Sequence, residues 1–269
     1  MDWKIHIFRV THLVIPVFCL IFPYTVFGEL EIQVRNAGKE ILKTSIKANT
    51  TDDIIVAEYT ESDGSLVTVL ADFRSGLQIF RVQILGEEER GQNGYQVFCF
   101  IFGLKSDDFI PSDAMSKLRQ KNSGTIRLAE DDLGQEEYDF DVAVDLNKSS
   151  ILSLHLQEMC YEAPSNNIYS FYAQPSHPID ISSIGTPLNL SGAARCSEVH
   201  KVNESCICEY NICLHWYPCG IKFCKDKDPV SGKLINRRCG IKTCKKCRLL
   251  HFGVLSKITC LWDEHAVII

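Results

Sequence analysis

Residues 196–260 decide how this chain folds: CSEVHKVNESCICEYNICLHWYPCGIKFCKDKDPVSGKLINRRCGIKTCKKCRLLHFGVLSKITC. They hold ten of the thirteen cysteines. The segment contains an internal repeat, Cys219-Gly-Ile-Lys-Phe-Cys224 and Cys239-Gly-Ile-Lys-Thr-Cys244. The repeat predicts two similar hairpin-like units, each with a cysteine at either end. Large apolar residues are few for this length, so cross-links must supply the stability that a core does not.

The N-terminal segment predicts export from the cell. Lys4 and Arg9 form a short basic region, and an apolar run follows over residues 10–27. Small residues then suit cleavage between Gly28 and Glu29, as in a secretory signal peptide. The alternative is a membrane anchor, but the run is at the lower limit for spanning a bilayer and contains two prolines. We expect the mature chain to be soluble, secreted and extracellular, and not to span a membrane.

Export favours disulfides over metal binding in the cysteine-rich segment. Cys19 leaves with the signal, and an even number of cysteines remains in an oxidising compartment. A structural zinc site needs two closely spaced cysteine pairs, and Cys244-x-x-Cys247 is the single C-x-x-C here. We therefore predict disulfides and no metal or cofactor. The pairing within the segment stays open among Cys196, Cys206, Cys208, Cys213, Cys219, Cys224, Cys239, Cys244, Cys247 and Cys260.

Other features suit a secreted, non-enzymatic glycoprotein. Four N-x-S/T sequons occur, at Asn49, Asn147, Asn189 and Asn203. Signatures of metalloproteases, hydrolases and nucleotide-binding enzymes are absent from the sequence. An exported chain with a net charge of −6 is not expected to bind nucleic acid.

Charge is divided unevenly along the chain. Residues 196–260 carry twelve Lys and Arg against five Asp and Glu, whereas residues 29–195 are strongly acidic. The two regions could attract each other, or the basic one could present a face to acidic partners such as heparan sulfate. The candidate glycosaminoglycan ligands are Lys242, Lys245, Lys246 and Arg248, with an ordinary solvated face as the alternative.

The first region has the pattern of a β-sheet with two helices. Residues 30–35 alternate apolar and polar, and Asp63-Gly64 between two apolar runs indicates a hairpin turn. Residues 95–104 are almost wholly apolar, as in a strand covered on both faces. Helices are predicted over 112–121 and 150–161, and the acidic residues 125–139 between them are expected to form a mobile excursion.

This order of elements resembles a BRICHOS domain, which has an Asp and a cysteine pair at fixed places. Asp72, Cys99 and Cys160 match those positions in order. The resemblance implies an α+β fold, an antiparallel sheet flanked by two helices, followed by a small disulfide-rich module. Cys99 and Cys160 are expected to pair, being the two cysteines of the first domain. Asp72 is expected to be a buried or switch-like acid, or alternatively an Asp that begins the turn before Ser75-Gly76.

The whole chain resembles the out at first family, which is secreted and of developmental interest. The matching segments are Ala71-Asp72-Phe73, Ile84-Leu85-Gly86-Glu87, residues 110–122, Asp141-Val142-Ala143-Val144, Trp216-Tyr217-Pro218-Cys219, Cys239-Gly240-Ile241-Lys242 and residues 260–264. The chain departs from the family in cysteine number, because eight are expected in the C-terminal module. Cys213 and Cys247 are the apparent extras and are candidates for pairing with each other.

These observations predict four regions: a signal peptide (1–28), a BRICHOS-like domain (29–172), a linker (173–195) and a cysteine-rich domain (196–269). We expect a secreted, non-enzymatic glycoprotein that acts in development, including the nervous system, through extracellular protein–protein contacts. A BRICHOS-like sheet would add chaperone activity toward β-prone segments. The alternative is a cysteine-rich extracellular ligand or inhibitor whose first domain only assists folding.

Overall fold

The computed structural model describes residues 27–36, 38–120, 122, 124–171, 181–188, 192–228 and 232–268. The predicted signal peptide up to residue 26 and the sequon at Asn189 lie outside these residues. Thirteen strands are described: β1 Phe27–Arg35, β2 Ile41–Asn49, β3 Ile54–Thr60, β4 Leu66–Asp72, β5 Leu77–Leu85, β6 Tyr95–Gly103, β7 Ile126–Arg127, β8 Asp131–Phe140, β9 Val142–Val144, β10 Ile168–Ser170, β11 Gly185–Pro187, β12 Cys206–Lys227 and β13 Leu234–Val254.

Ten of these strands form the first sheet, in the order β11-β9-β10-β6-β5-β4-β3-β2-β1-β7. Strands β1 to β6 follow one another as an antiparallel meander. The hairpin between β3 and β4 turns at Gly64, whose φ of 85° is open to glycine but strained for residues with a Cβ. The meander therefore follows from local turn chemistry and from period-two alternation of apolar residues.

A long hairpin forms the second sheet. Strands β12 and β13 pair antiparallel along most of their length, and β8 adds to β13 in parallel. The acidic residues predicted to be a mobile excursion therefore form most of a strand, and that prediction is wrong. The sequence hides β8 because its exposed side chains are acidic and lack a clear apolar period, while its partner strand is basic.

Strand β6 separates two hydrophobic cores, which explains its continuous apolar sequence. On one face, Phe98 and Phe100 pack against Phe252 of β13, with ring centroids 5.5 and 5.0 Å apart. On the other face, Val97, Cys99 and Ile101 belong to a smaller core with Leu156 and Cys160. The larger core contains residues of both sheets, so the hairpin packs directly on the first sheet.

The predicted α+β class is wrong, because the described part of the chain is mostly β strand and contains only short α-helices. The α-helices have only four or five residues: α1 Ser112–Ser116, α2 Leu156–Cys160 and α3 Ile181–Ile184. Short 3₁₀ helices cover Glu88–Arg90 and Leu146–Ile151, and Lys257–Ile268 is a 3₁₀ segment with a kink at Cys260. The two predicted helices are thus one-turn segments held by tertiary contacts, since isolated helices this short are unstable.

The predicted small disulfide-rich module is also wrong, because the cysteine-rich region shares the larger core with the first region. Phe140 and Tyr169 of the first region share this core with Tyr210, Leu250 and Phe252 of the cysteine-rich region. The boundaries 29–172, 173–195 and 196–269 remain a prediction. Within the described residues, no helix has the length and apolar character needed to cross a membrane.

Candidate functional site

The cysteines of the described residues form six disulfides, which confirms the prediction of a cross-linked, cysteine-rich C-terminal region. Five bridges lie within residues 196–260, and the sixth joins β6 to α2. The pairs are Cys99–Cys160, Cys196–Cys206, Cys208–Cys260, Cys213–Cys247, Cys219–Cys244 and Cys224–Cys239. The repeated units are therefore joined to each other, because Cys219 pairs with Cys244 and Cys224 with Cys239.

One group of potential metal ligands occurs among the described residues. Ligand atoms of Cys196, Cys260 and Asp263 lie within 4.8 Å of one another. Both sulfurs are bonded in disulfides, so neither is available as the thiolate that a zinc ion requires. The two cysteines of this group therefore cross-link the buried interior and do not form a metal site.

Asp72 is buried at the end of β4, where its carboxylate closes a turn. Its Oδ1 accepts hydrogen bonds from the backbone N–H groups of Arg74 and Ser75, at 3.0 and 3.1 Å. Its Oδ2 accepts one from the Ser153 hydroxyl at 2.6 Å. Burial acts to raise the pKa of Asp72, but the hydrogen bonds from Ser153 and Ser75 outweigh it and lower the pKa below 3.8. Asp72 therefore links the turn to residues 146–160 as an ionised acceptor.

The basic run on β13 is partly inside the protein, where it builds a buried charge cluster. Lys246 and Arg248 are 1% and 2% exposed. Both donate to Oδ1 of Asp108, at 3.1 and 2.8 Å, and Asp108 is itself 2% exposed. Arg248 also donates to Gln78 at 2.8 Å, and its guanidinium lies 4.9 Å from the Phe80 ring centroid. We call Asp108, Lys246, Arg248 and Gln78 the buried charge cluster; it connects β13 to the first sheet.

The other two residues of the basic run form surface ion pairs with β8. Lys242 lies 2.6 Å from Asp131, and Lys245 lies 3.0 Å from Asp132. All four side chains thus have acidic partners within the chain, and two of the four are inaccessible. Glycosaminoglycan binding through Lys242, Lys245, Lys246 and Arg248 stays a prediction, in which only Lys242 and Lys245 are exposed enough to take part.

Glu136 of β8 connects the cluster to solvent. Its carboxylate accepts hydrogen bonds from Tyr138 at 2.6 Å and Lys105 at 2.9 Å, and lies 3.3 Å from the Lys246 Nζ. Burial acts to raise the pKa of Glu136, but these hydrogen bonds and the nearby positive charges lower it from 4.5 to about 2. Ionised Glu136 therefore stabilises the folded state. This stabilisation is fully present above pH 4.5 and is lost as the pH falls toward 2.

We expect Glu136→Gln to lower the free energy of unfolding at pH 7 by about 1–2 kcal/mol, after allowance for solvent screening. The difference from the unmodified protein should shrink as the pH falls from 4.5 toward 2, where the native carboxyl also becomes neutral. Urea unfolding between pH 7 and pH 3 measures it. Glu58→Gln, at an exposed carboxylate of β3, serves as control. A constant difference across this pH range for Glu136→Gln would contradict the prediction.

The sequons have different surroundings. Asn203 is exposed, while Asn49 is half-buried and donates to Asp52 at 2.5 Å. Asn147 is exposed and its side chain donates to Asp145 at 3.2 Å. Asn203 and Asn147 are therefore the more accessible of the three described sites.

The far end of the β12–β13 hairpin is exposed on both faces. We call residues 223–227 and 234–238 the hairpin arm. Cys224–Cys239 cross-links the arm at its base. The arm exposes Phe223 at 60% and Leu234 at 66%, and the strand register places both on one face. The register places Lys225, Lys227 and Arg238 on the same face as these apolar side chains, and Arg237 on the other face.

Sequence reasoning did not identify Asp108, Glu136 or the apolar residues of the arm. Asp108 follows an acidic neighbour in a loop, where a carboxylate is ordinarily solvated, and only its contact with β13 makes it unusual. A usable signal was the excess of positive charge on β13, which requires acidic partners wherever the strand is buried. Phe223 and Leu234 flank the turn, so their exposure depends on the length of the hairpin beyond the core.

Comparison with known proteins places both regions in one family. Family models described as "Out at first" and "Out at first, C-terminal" match residues 28–174 and 195–264. The chain is 42% identical to the "Out at first protein" of Drosophila virilis over 262 residues, covering 91% of this chain and 85% of the relative. It is 40% identical to that of Drosophila melanogaster over 255 residues, covering 88% of this chain and 52% of that longer relative. No solved structure matches the chain significantly. The chain belongs to the out at first family.

Proposed function

We propose that this protein is a secreted, non-enzymatic glycoprotein that acts in development through protein–protein contacts, and that the hairpin arm is its contact surface. The exposed arm is the observation that carries the proposal. Exposed apolar side chains grouped on one element are typical of interaction sites. Here Phe223 and Leu234 lie on a strand pair that is already ordered and cross-linked. A partner would therefore bind without a large cost for ordering the arm.

The charge of the arm indicates the kind of partner. Four Lys and Arg lie in the arm against one acidic residue, Asp226. Arg237 pairs with Asp226 at 3.3 Å, which leaves the arm with net positive charge. An acidic partner surface with an apolar centre is complementary to it, because opposite charges speed association and fix orientation.

Two observations weigh against the alternative, in which the cysteine-rich region is an independent ligand that the first region only helps to fold. The third strand of its sheet, β8, comes from the first region. Its buried cations, Lys246 and Arg248, are neutralised by Asp108 of the same region. Chaperone activity is not part of this function, because the resemblance that implied it predicted an α+β arrangement and the described residues are mostly β.

Secretion is tested by expression in animal cells. We expect the protein to accumulate in the medium, to begin at Glu29 and to lose mass on treatment with an N-glycosidase, because the chain carries a predicted signal peptide and sequons. N-terminal sequencing and mass spectrometry measure these properties. Retention in the cytosol with residues 1–28 intact would contradict the proposal.

Phe223→Ser/Leu234→Ser should weaken binding to cells that carry the partner by about tenfold or more, because exposed apolar anchors contribute over 1 kcal/mol each when a partner covers them. The measurement is saturation binding of labelled, secreted protein to developing neural cells. Leu154→Ser, at a leucine that is 81% exposed on the first region, is the matched control and should bind normally. Equal affinities for the two variants would overturn the assignment of the arm, and the absence of saturable binding would overturn the proposed function.

A further inference from the structure

An apolar cavity of about 570 Å³ lies between β1, α1 and the β12–β13 hairpin. Leu30 and Ile32 of β1 form one wall. Leu118, two residues after the end of α1, forms part of a second wall. Trp216, Ile221 and Ile241 of the hairpin line the third. We call this space the edge cavity. Its volume falls within the range of about 300–1,000 Å³ that is usual for small-molecule sites.

The internal repeat builds part of this wall. Ile221 and Ile241 occupy the same position in the two Cys-Gly-Ile-Lys units, and the register pairs them directly across the hairpin. Both side chains are half-buried and both line the edge cavity. Two β-branched side chains in a cross-strand pair make a rigid apolar surface. The two repeat units therefore together form part of one wall of the edge cavity.

The lining of the edge cavity carries positive charge, from Lys117, Arg119, Arg127 and Arg238. Lys117 pairs with Asp113, whereas Arg119 and Arg127 have no carboxylate within 4.0 Å among the described residues. Within the described part of the chain, the Arg119 guanidinium donates to the backbone carbonyls of Ser116 and Leu118, both at 2.9 Å. The described lining also contains the carboxylate of Glu130, which is neutralised by Lys222 at 2.6 Å. The guanidinium groups of Arg119 and Arg127 thus remain available to an anion.

The edge of β1 beside the cavity, next to its two-residue pairing with β7, is occupied by a side chain. The Gln120 side-chain oxygen accepts a hydrogen bond from the Glu31 N–H at 3.0 Å, and its amide donates to the Glu31 carbonyl. This side chain makes the hydrogen bonds that an added peptide strand would make. A strand cannot add at Glu31 without displacing it, so the site favours a small ligand without a peptide backbone.

We propose that the edge cavity binds a monomeric amphiphile from solution, with a long hydrocarbon chain against the apolar walls and a carboxylate at Arg119 and Arg127. The guanidinium group is suited to this head group because its planar donors match a carboxylate. This inference does not depend on Phe223 or Leu234, which lie outside the lining of the edge cavity, so Phe223→Ser/Leu234→Ser retains the cavity even though Arg238 of the hairpin arm lines it.

Titration of the secreted, full-length mature protein with dodecanoate tests the inference, with dodecanol as the uncharged probe. Trp216 lines the edge cavity, so its fluorescence should change on binding, and calorimetry gives the stoichiometry. We expect one site, with dodecanoate bound about tenfold or more tightly than dodecanol. Absence of saturable dodecanoate binding below its micelle concentration, or equal affinity for the two probes, would overturn the proposal.

Charge variants locate the site. Arg119→Glu/Arg127→Glu should weaken dodecanoate binding about tenfold or more and leave dodecanol binding unchanged, and Arg119→Gln/Arg127→Gln should have a smaller effect in the same direction. Arg35→Glu, at an exposed arginine of β1 outside the cavity, should have no effect. Near-ultraviolet circular dichroism checks the fold of each variant. Unchanged dodecanoate affinity in both double variants overturns the proposal, as does binding to phosphatidylserine vesicles without binding of monomeric dodecanoate.

Discussion

Asp108→Ala is expected to lower the free energy of unfolding by about 3–5 kcal/mol, because it leaves two buried cations without their carboxylate. Asp108 accepts hydrogen bonds from Lys246, Arg248 and the Lys105 backbone N–H, at 3.1, 2.8 and 2.8 Å. Its side chain is 1% exposed, so water cannot replace it. Equilibrium unfolding in urea with disulfides intact measures the loss.

The neighbouring residue provides the matched control. Asp107 has the same side chain and is 54% exposed, and its carboxylate lies 3.9 Å from the Lys246 Nζ. Asp107→Ala should change the free energy of unfolding by less than about 0.5 kcal/mol, as is usual for an exposed ion pair. Similar losses for the two variants would show that Asp108 contributes no more than surface charge does.

A triple replacement distinguishes two causes of destabilisation in Asp108→Ala. One is the loss of the ion pairs, and the other is the cost of leaving Lys246 and Arg248 buried without a carboxylate. In Asp108→Leu/Lys246→Met/Arg248→Met, no buried charge of the cluster remains unpaired, and apolar side chains fill a similar volume. We expect it to recover most of the stability lost in Asp108→Ala, since replacing a whole buried ion pair by apolar groups is often neutral. A triple variant that is less stable than Asp108→Ala would contradict this account.

Cys99→Ser/Cys160→Ser is expected to destabilise the protein by about 4 kcal/mol, because the bridge constrains a long loop in the unfolded chain. The cysteines are 61 residues apart and both are fully buried in the smaller core. The replacement also leaves two buried hydroxyl groups in the apolar core that contains Ile79 and Leu156. Thermal unfolding of the purified protein measures the loss as a lower Tm.

The Cys224–Cys239 bridge is expected to contribute much less to stability than Cys99–Cys160. Cys224 and Cys239 are 15 residues apart, and both lie in or beside the exposed hairpin arm. Cys224→Ser/Cys239→Ser should leave the main unfolding transition nearly unchanged and should increase hydrogen exchange of the arm, because few core contacts depend on it. Equal losses of Tm in the two double variants would contradict this distinction.

Much of the first sheet was predictable because its signals are local. Alternation identifies β1, the Asp63-Gly64 turn identifies the β3–β4 hairpin, and a continuous apolar run identifies β6. The family resemblance was confirmed over both regions. The helices were overestimated, since spacing at 112–121 and 150–161 is compatible with a helix but the tertiary contacts support only one turn in each.

The rest depends on contacts between distant residues. Strand β8 has no clear apolar period, and its parallel partner lies over a hundred residues away in the chain. Asp108 becomes unusual only when Lys246 and Arg248 lie beside it. The edge cavity needs β1, α1 and the repeat together, so the Gly-Ile-Lys repeat suggested hairpin units without indicating a concave surface.

The parallel pairing of β8 with β13 has a consequence for biosynthesis. Lys245 and Asp132 pair across a separation of 113 residues, so the second sheet has high contact order and forms late. During synthesis, β8 leaves the ribosome long before β13 does. Its acidic side chains keep this waiting segment soluble, since charge opposes strand-to-strand aggregation. In the nascent protein β8 therefore has no partner strand. It pairs only after β13, Leu234–Val254, has been synthesised.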